Sequence, residues 1–348
     1  MASGTGPRGP LVFRSVYCVD MRISVFSAAE HDRVFLEQAN AARRHELEFL
    51  PTPLTASTAH LASGSQAVSV FVDDIVDKGA LAVLAKNGVG LVALRCTGFD
   101  NIDLEAAKKE GIRVVHVPNY PPQAVAEHAV GLMLAINRRI HRAYNRTRSG
   151  DYTLAGMMGS DVSGKTVAVV GTGRIGTAFA RIMVGFGCRV VGYSPHRHQA
   201  FEATGAGYGA LEAIGEGADV VSLHCPLTSD TRHLVNKDVI SRFNRGAILI
   251  NTARGALVDA PAVIPALRSG QLGGFGMDVY EHERGLYFAN HENDVVKDDV
   301  IARLLSMPNV IITGHQGWFT RESMAAISQA TLTSFDEYES GASLTLEI

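Results

Sequence analysis

The stretch from Lys165 to Arg181 constrains this chain more than any other. Thr166 to Val170 is a short β-branched run, the composition of a parallel strand buried on both faces. Gly171, Gly173 and Gly176 follow in G-x-G-x-x-G spacing. The first glycine turns the chain, the second lets backbone approach a pyrophosphate, and the third lets helix pack on strand. The helix expected from about Ile175 points its unpaired N–H groups and positive dipole end at that pyrophosphate. Glycine is abundant (35 of 348 residues), so the spacing alone is a weak signal. The flanking strand and helix make a dinucleotide site the better reading than a plain glycine turn.

At 348 residues the chain exceeds a usual single core, which predicts two domains. The 46% hydrophobic and 19% charged content is that of an ordinary globular protein. A net charge of −3 gives no reason to expect a nucleic-acid or membrane partner, and no apolar run reaches the length of a membrane span. Cys18, Cys96, Cys188 and Cys225 form no C-x-x-C pair; reduced thiols in a cytoplasmic protein are expected, and no metal site. Residues 1–20 hold Arg8, Arg14 and several Gly, Ser and Pro, and read as a flexible extension. An appended segment and a weak organellar transit peptide both stay open for it.

Strands alternate with helices along the whole chain. Arg22–Phe26, Leu47–Leu50, Ala67–Val72, Val89–Cys96 and Ile112–Val117 read as the strands of a first parallel sheet. Pro118 to Pro122 punctuates the sequence, and Gln123 to Arg148 reads as one long helix. Its expected buried stripe is Val125, Ala129, Leu132, Ile136, Ile140 and Ala143. The arginines Arg138, Arg139, Arg142, Arg146 and Arg148 read as a solvated face at its negative end rather than as an anion patch. Past the glycines, strands are expected at Arg189–Tyr193, Val220–His224, Ala247–Asn251, Gly276–Val279 and Val310–Thr313, with a closing helix from Thr320 to Glu339.

Ligands of doubly wound sheets gather at the carboxyl ends of strands, and the polar residues here sit at those ends. Arg254, Glu283 and His315 are the strongest candidates. Singly, each has a plain structural explanation: a surface ion pair, a solvated carboxylate, a structural histidine. Together they supply what hydride transfer from a dihydronicotinamide to a 2-keto acid requires. Guanidinium offers a planar fork for the substrate carboxylate. An imidazolium donates a proton to the developing alkoxide near neutral pH, and acts as base in the reverse direction. A carboxylate beside it favours the charged ring. Asp278 either hydrogen-bonds the nicotinamide or caps its strand end.

From Met21 to about Ser340 the chain resembles the D-isomer-specific 2-hydroxyacid dehydrogenases, and most closely their fermentative lactate branch. The motifs are Arg95-Cys-Thr-Gly-Phe-Asp-Asn-Ile-Asp103, Glu127-His-Ala-Val-Gly-Leu-Met-Leu134, Asn137-Arg-Arg-Ile-His-Arg-Ala-Tyr144, Ser222-Leu-His-Cys-Pro-Leu-Thr228, Asn251-Thr-Ala-Arg-Gly-Ala-Leu-Val-Asp259, Gly276-Met-Asp-Val-Tyr-Glu-His-Glu283 and Gly314-His-Gln316. The resemblance implies an α/β fold of two Rossmann-like or flavodoxin-like doubly wound parallel-sheet domains with a cleft between them. Residues 21–119 and 318–348 would form the substrate-binding lid domain, and residues 120–317 the coenzyme domain. It implies catalytic roles for Arg254, Glu283 and His315, with Glu283 rather than Glu281 at the family's position. Substrate contacts fall on Thr97, Gly98 and Tyr120, and coenzyme contacts on Arg174, Ile175, Cys225, Pro226, Thr252, Ala253 and Asp278. Family members are usually homodimers that use the long helix after Pro122.

Two departures from the family pattern matter. Trp318 stands where Phe or Tyr is usual after the catalytic histidine, and the indole either narrows the pocket for short substrates or stacks on aromatic ones. Ser194 stands where an NAD enzyme places an acid about 20 residues past the glycine turn. A carboxylate would repel a 2′-phosphate, whereas Ser194 with Arg197 and His196 could bind one. NADP or NAD is therefore expected, with NADPH preferred. The function expected is a D-lactate dehydrogenase-like reduction of pyruvate or a related 2-keto acid. Reduction of bulkier, phenylpyruvate-type acids and a dinucleotide-sensing corepressor remain the alternatives. Formate dehydrogenases share the architecture but usually pair glutamine with the histidine, where this chain has Glu283.

Overall fold

A computed structural model of the chain describes residues 21–348 except 44 and 119. The expected extension, residues 1–20, lies outside the described residues. The chain divides into two compact units: the described residues of Met1–Asn119 together with Met324–Ile348, and Tyr120–Ser323.

The first unit holds β1 (Arg22–Val25), β2 (Glu46–Phe49), β3 (Ala67–Val70), β4 (Leu91–Leu94) and β5 (Arg113–His116). All pair in parallel, in the order β2-β1-β3-β4-β5. Side chains alternate faces with period two. Val68, Val92 and Val114 pack with Leu81 and Leu84 of the helix Lys78–Lys86. Ala67, Leu91 and Val115 pack with Leu332 and Phe335 of the closing helix, Arg321–Glu339. Asp77 and Asp103 start their helices by accepting the amides of Ala80 and Ala106, each at 2.9 Å.

The second unit holds β6 (Thr166–Val170), β7 (Arg189–Tyr193), β8 (Gly207–Tyr208), β9 (Val220–Leu223), β10 (Ala247–Asn251), β11 (Leu272–Met277) and β12 (Val310–Ile312). The order is β12-β11-β10-β9-β6-β7-β8, again all parallel. The chain therefore reverses its direction of winding at β6, which lies between β7 and β9. Val167 and Val169 face the helices Pro122–Asn137 and Arg174–Gly185 through Met133, Ile136, Phe179 and Met183. Ala168 and Val170 face the other side, with Val263, Leu267, Ile301 and Leu304. The two-residue β8 lies at the sheet edge and is too short to carry a period; β11 begins earlier than its expected start at Gly276.

The helix expected from Gln123 to Arg148 is two helices, Pro122–Asn137 and Ile140–Arg148. Proline at its first position suits the start of the first helix. Arg139 breaks the run with a left-handed backbone (φ 54°). The break is held by a returning loop: Asn137 Nδ2 donates to the carbonyl of Ser160 at 2.6 Å, and Arg139 Nε to that of Met158 at 3.2 Å. The buried stripe accordingly stops at Ile136, and Ile140, expected inside, is 55% exposed. Among the described residues no helix is long and apolar enough to cross a membrane.

Candidate active site at the strand ends of the second unit

The glycine turn sits at the carboxyl end of β6, where the winding reverses and ligands of such sheets bind. Gly171 has φ +92°, and a Cβ there would lie 2.5 Å from the amide nitrogen of Cys225 at the end of β9. A Cβ on Gly176 would meet the carbonyl oxygen of Gly171, so helix and turn touch backbone to backbone. Gly173 differs, because its Cβ would meet nothing within 4 Å. No packing within the protein demands glycine there, and the open space lies at the start of the helix Arg174–Gly185. That helix has no side-chain cap at Gly173, and its N-terminal turn, with its positive dipole end, opens on that space. At the end of β10, the Thr252 hydroxyl is buried without a hydrogen-bond partner. An uncapped helix start, a glycine with nothing against it and an orphaned buried hydroxyl fit a dinucleotide. Cys225 and Pro226 follow β9, and burial pushes the Cys225 thiol up to about 11.

Arg254, Glu283 and His315 follow β10, β11 and β12, three neighbours in the sheet. Asn251 closes the turn after β10: its Oδ1 accepts the Ala253 amide at 3.1 Å and its Nδ2 donates to the Arg254 carbonyl at 2.9 Å. A Cβ on Gly255 would meet the backbone of Tyr280 and Glu281, so glycine after Arg254 lets the β10 turn lie directly on the β11 loop. Arg254 is half-buried, and its guanidinium donates to the Ala253 carbonyl at 2.8 Å.

Glu283 accepts from His315 Nδ1 at 2.8 Å through one oxygen and from the Tyr280 amide at 2.8 Å through the other. Both side chains are mostly buried, at 24% and 14% exposed. The carboxylate therefore fixes which imidazole nitrogen faces away from it. His315 itself has a left-handed backbone, φ 53°.

Asp278 carries the loop that presents His315. The carboxylate accepts from the Thr313 hydroxyl (2.6 Å) and from the amides of Gln316 (2.9 Å) and Gly317 (2.7 Å). His128, on the helix Pro122–Asn137, lies 3.4 Å from it and donates to Thr313 Oγ1 at 3.0 Å. Burial alone would push the carboxyl up, but the bonds from His128, Thr313 and Gln316 outweigh it and hold the value at about 2. Of the two roles expected for Asp278, the contacts within the chain are those of a strand-end anchor.

Ser194, His196 and Arg197 follow β7, and the Ser194 hydroxyl accepts the His196 amide at 3.4 Å. Arg197, 71% exposed, stacks 5.1 Å above the Tyr208 ring and lies 3.6 Å from Glu202. Tyr208 in turn donates to Thr172 Oγ1 inside the glycine turn, at 2.9 Å. Tyr120 is half-buried just before the helix that bears His128. Trp318 lies three residues past His315 and donates its indole N–H to the His315 carbonyl at 2.9 Å. Thr97 and Gly98 belong to the first unit, after β4. The Thr97 hydroxyl donates to the Val117 carbonyl, and its own carbonyl accepts from His116 Nδ1, both at 2.9 Å.

Sequence reasoning assigned no role to His128 or Glu281. Glu281 pairs with Arg232 and, at 2.8 Å, with His233, tying the loop after β9 to the loop after β11. Burial works against its charge, and those two partners overcome it, holding the carboxyl below its usual range. A histidine among the alanines and valines of an apolar helix is the one signal that pointed to His128. Among the described residues no group of three or more His, Cys, Asp or Glu could hold a metal ion.

The family model for the D-isomer specific 2-hydroxyacid dehydrogenase, NAD binding domain, matches residues 130–317. D-lactate dehydrogenase of Escherichia coli is 46% identical over 321 residues, which is 92% of this chain and 98% of that protein. Its apo-structure superposes with a TM-score of 0.86 at 43% identity, covering 94% of this chain and 100% of that chain. The pyruvate reductase of Chlamydomonas reinhardtii superposes with a TM-score of 0.89 at 40% identity, over 94% and 98% of the two chains.

The Asp278 anchor makes a stability prediction. Its carboxyl titrates at about 2 in the folded chain against 3.8 for an ordinary aspartate. The unfolded chain takes up the proton first, so this contribution is present above about pH 3.8 and lost as pH falls through about 2. Asp278→Asn is expected to cost roughly 2 kcal/mol at neutral pH and to flatten this part of the acid dependence. Urea unfolding midpoints of both proteins between pH 7 and pH 2 check it; parallel curves would count against the anchor.

Proposed function

The chain belongs to the D-isomer-specific 2-hydroxyacid dehydrogenase family, and on that premise we propose that it reduces pyruvate or a related 2-keto acid reversibly to the D-2-hydroxy acid. The observation that carries the reading is the 2.8 Å bond between His315 Nδ1 and Glu283. With Nδ1 committed to the carboxylate, Nε2 is the nitrogen left to meet substrate. His315 Nε2 gives its proton to the carbonyl oxygen as negative charge builds there, and takes it back in the oxidative direction. Glu283 keeps the ring oriented and compensates the imidazolium charge. Arg254 clamps the substrate carboxylate. The dihydronicotinamide, when bound, supplies the hydride. Thr97, Gly98, Tyr120 and Trp318 are the remaining substrate contacts of this reading.

The phosphates of the coenzyme fall to Gly171, Gly173, Gly176 and the amides of Arg174 and Ile175, its further contacts to Cys225, Pro226, Thr252 and Ala253, and the nicotinamide side to Asp278. We infer that NADPH is accepted and preferred. Ser194 offers a hydroxyl where a carboxylate would repel a 2′-phosphate. The ion pair of Arg197 with Glu202 is long, at 3.6 Å, and exposed. A phosphate dianion competes well for such a guanidinium, with His196 beside it.

We also propose that the chain assembles as a homodimer or a higher homo-oligomer. Ile140 (55%), Tyr144 (60%), Tyr152 (76%), Leu154 (85%) and Met158 (86%) expose apolar surface on one helix and the loop after it. Sedimentation equilibrium at micromolar concentration should return at least twice the chain mass, and a monomer mass would end this reading.

Nicotinamide oxidation against pyruvate, 2-oxobutyrate, phenylpyruvate, glyoxylate and hydroxypyruvate tests the reaction. Turnover is expected, highest with the short-chain acids. His315→Asn should lower kcat by roughly 10²- to 10⁴-fold, and Arg254→Gln should lower kcat/KM by on the order of a hundredfold, the worth of a charged hydrogen bond. Absence of turnover with every acid would favour a dinucleotide-sensing binding protein. For the coenzyme, kcat/KM should be higher with NADPH than with NADH, and Ser194→Asp should invert the ratio; a strong NADH preference in the unsubstituted protein would sink the inference.

A further inference from the structure

The bond between Trp318 and His315 goes beyond a wall of the substrate pocket. His315 has φ 53°, a left-handed conformation that a residue with a Cβ holds only when its surroundings fix it. The peptide plane between His315 and Gln316 is gripped at both edges. On one edge the Gln316 N–H donates to Asp278 Oδ1 at 2.9 Å. On the other the His315 carbonyl accepts the indole N–H of Trp318 at 2.9 Å. The His315 amide is pinned separately, to the Asp278 carbonyl at 2.7 Å. Asp278 thus holds the N–H groups of the turn, and Trp318 Nε1 holds a carbonyl that Asp278, an acceptor here, cannot. Without the indole the plane could pivot about its Asp278 anchor, and the imidazole would turn away from Glu283. Phenylalanine at 318 has no donor, and tyrosine carries its hydroxyl at the far end of the ring.

We propose that Trp318 is a positioning residue for the catalytic histidine: its indole N–H locks the left-handed turn that aims His315 between Glu283 and the substrate. This inference rests on the reaction proposed above, and the test separates the two.

Trp318 is the single tryptophan of the chain, so replacing tryptophan throughout by 3-benzothienylalanine alters this side chain alone. The analogue keeps the shape of the indole and exchanges its N–H for sulfur. kcat on pyruvate should fall about fivefold, the worth of one neutral hydrogen bond. KM for pyruvate and coenzyme and the ranking of 2-keto acids should stay as they were. Trp318→Phe, which also removes volume, should lower kcat by at least as much and in addition change the ranking. Undiminished kcat in the benzothienyl protein would overturn the proposal and leave Trp318 as pocket wall only. A fall in kcat matched by weaker coenzyme binding and a changed ranking of 2-keto acids would overturn it in favour of a general packing role. An unsubstituted protein that turns over no 2-keto acid would remove the reaction itself, and this inference with it.

Discussion

The candidate site at the strand ends of the second unit depends on one buried carboxylate. Asp278 stands just past β11, between the strand ends that carry Arg254 and His315. A carboxylate this deeply buried is tolerable only when its oxygens accept several hydrogen bonds. The donors that satisfy it, Thr313, Gln316 and Gly317, come from the loop holding His315. The requirement of the charge and the placement of the histidine are thus met by the same bonds. His128 extends the network to the helix packed on the sheet, so loop, strand and helix share one electrostatic anchor.

The glycine turn after β6 is governed by close approach rather than by charge. Gly171 brings the turn after β6 against the end of β9, and Gly176 brings the helix against that turn. Both are glycines because protein backbone leaves no room for a Cβ. Gly173 is a glycine with nothing within 4 Å of where its Cβ would stand, so no packing in the protein accounts for it. Tyr208 links the turn to the loop after β7, with its hydroxyl on Thr172 and its ring under Arg197. Residues after β6 and β7 that look independent in sequence are therefore joined through one side chain.

Much of the architecture was legible because parallel strands buried on both faces need short β-branched runs, and these recur between helical segments along the chain. The runs at Thr166–Val170 and Ala247–Asn251 coincide with β6 and β10 to the residue. The long helix after Pro122 was misread for a physical reason. Apolar spacing continues through Ile140 and Ala143, but the break at Arg139 is imposed by a loop returning near Ser160, some twenty residues on. Local periodicity holds no trace of that contact. The weak edge strand β8 carried no period to read.

The sequence by itself determined which chemical groups the site has: the glycine turn, the guanidinium, the imidazole and carboxylates at strand ends, and the serine in place of an acid after β7. Residue type and position after a strand are local properties, so they could be read without coordinates. Only the tertiary structure decided how those groups are held. The partners of Asp278, the pairing of His315 Nδ1 with Glu283 and the clamp of Trp318 on the His315 carbonyl depend on the lateral order of β10, β11 and β12 and on the left-handed turn at His315. Strand order and backbone hand at a single residue arise from packing across the whole sheet, and no local spacing encodes them.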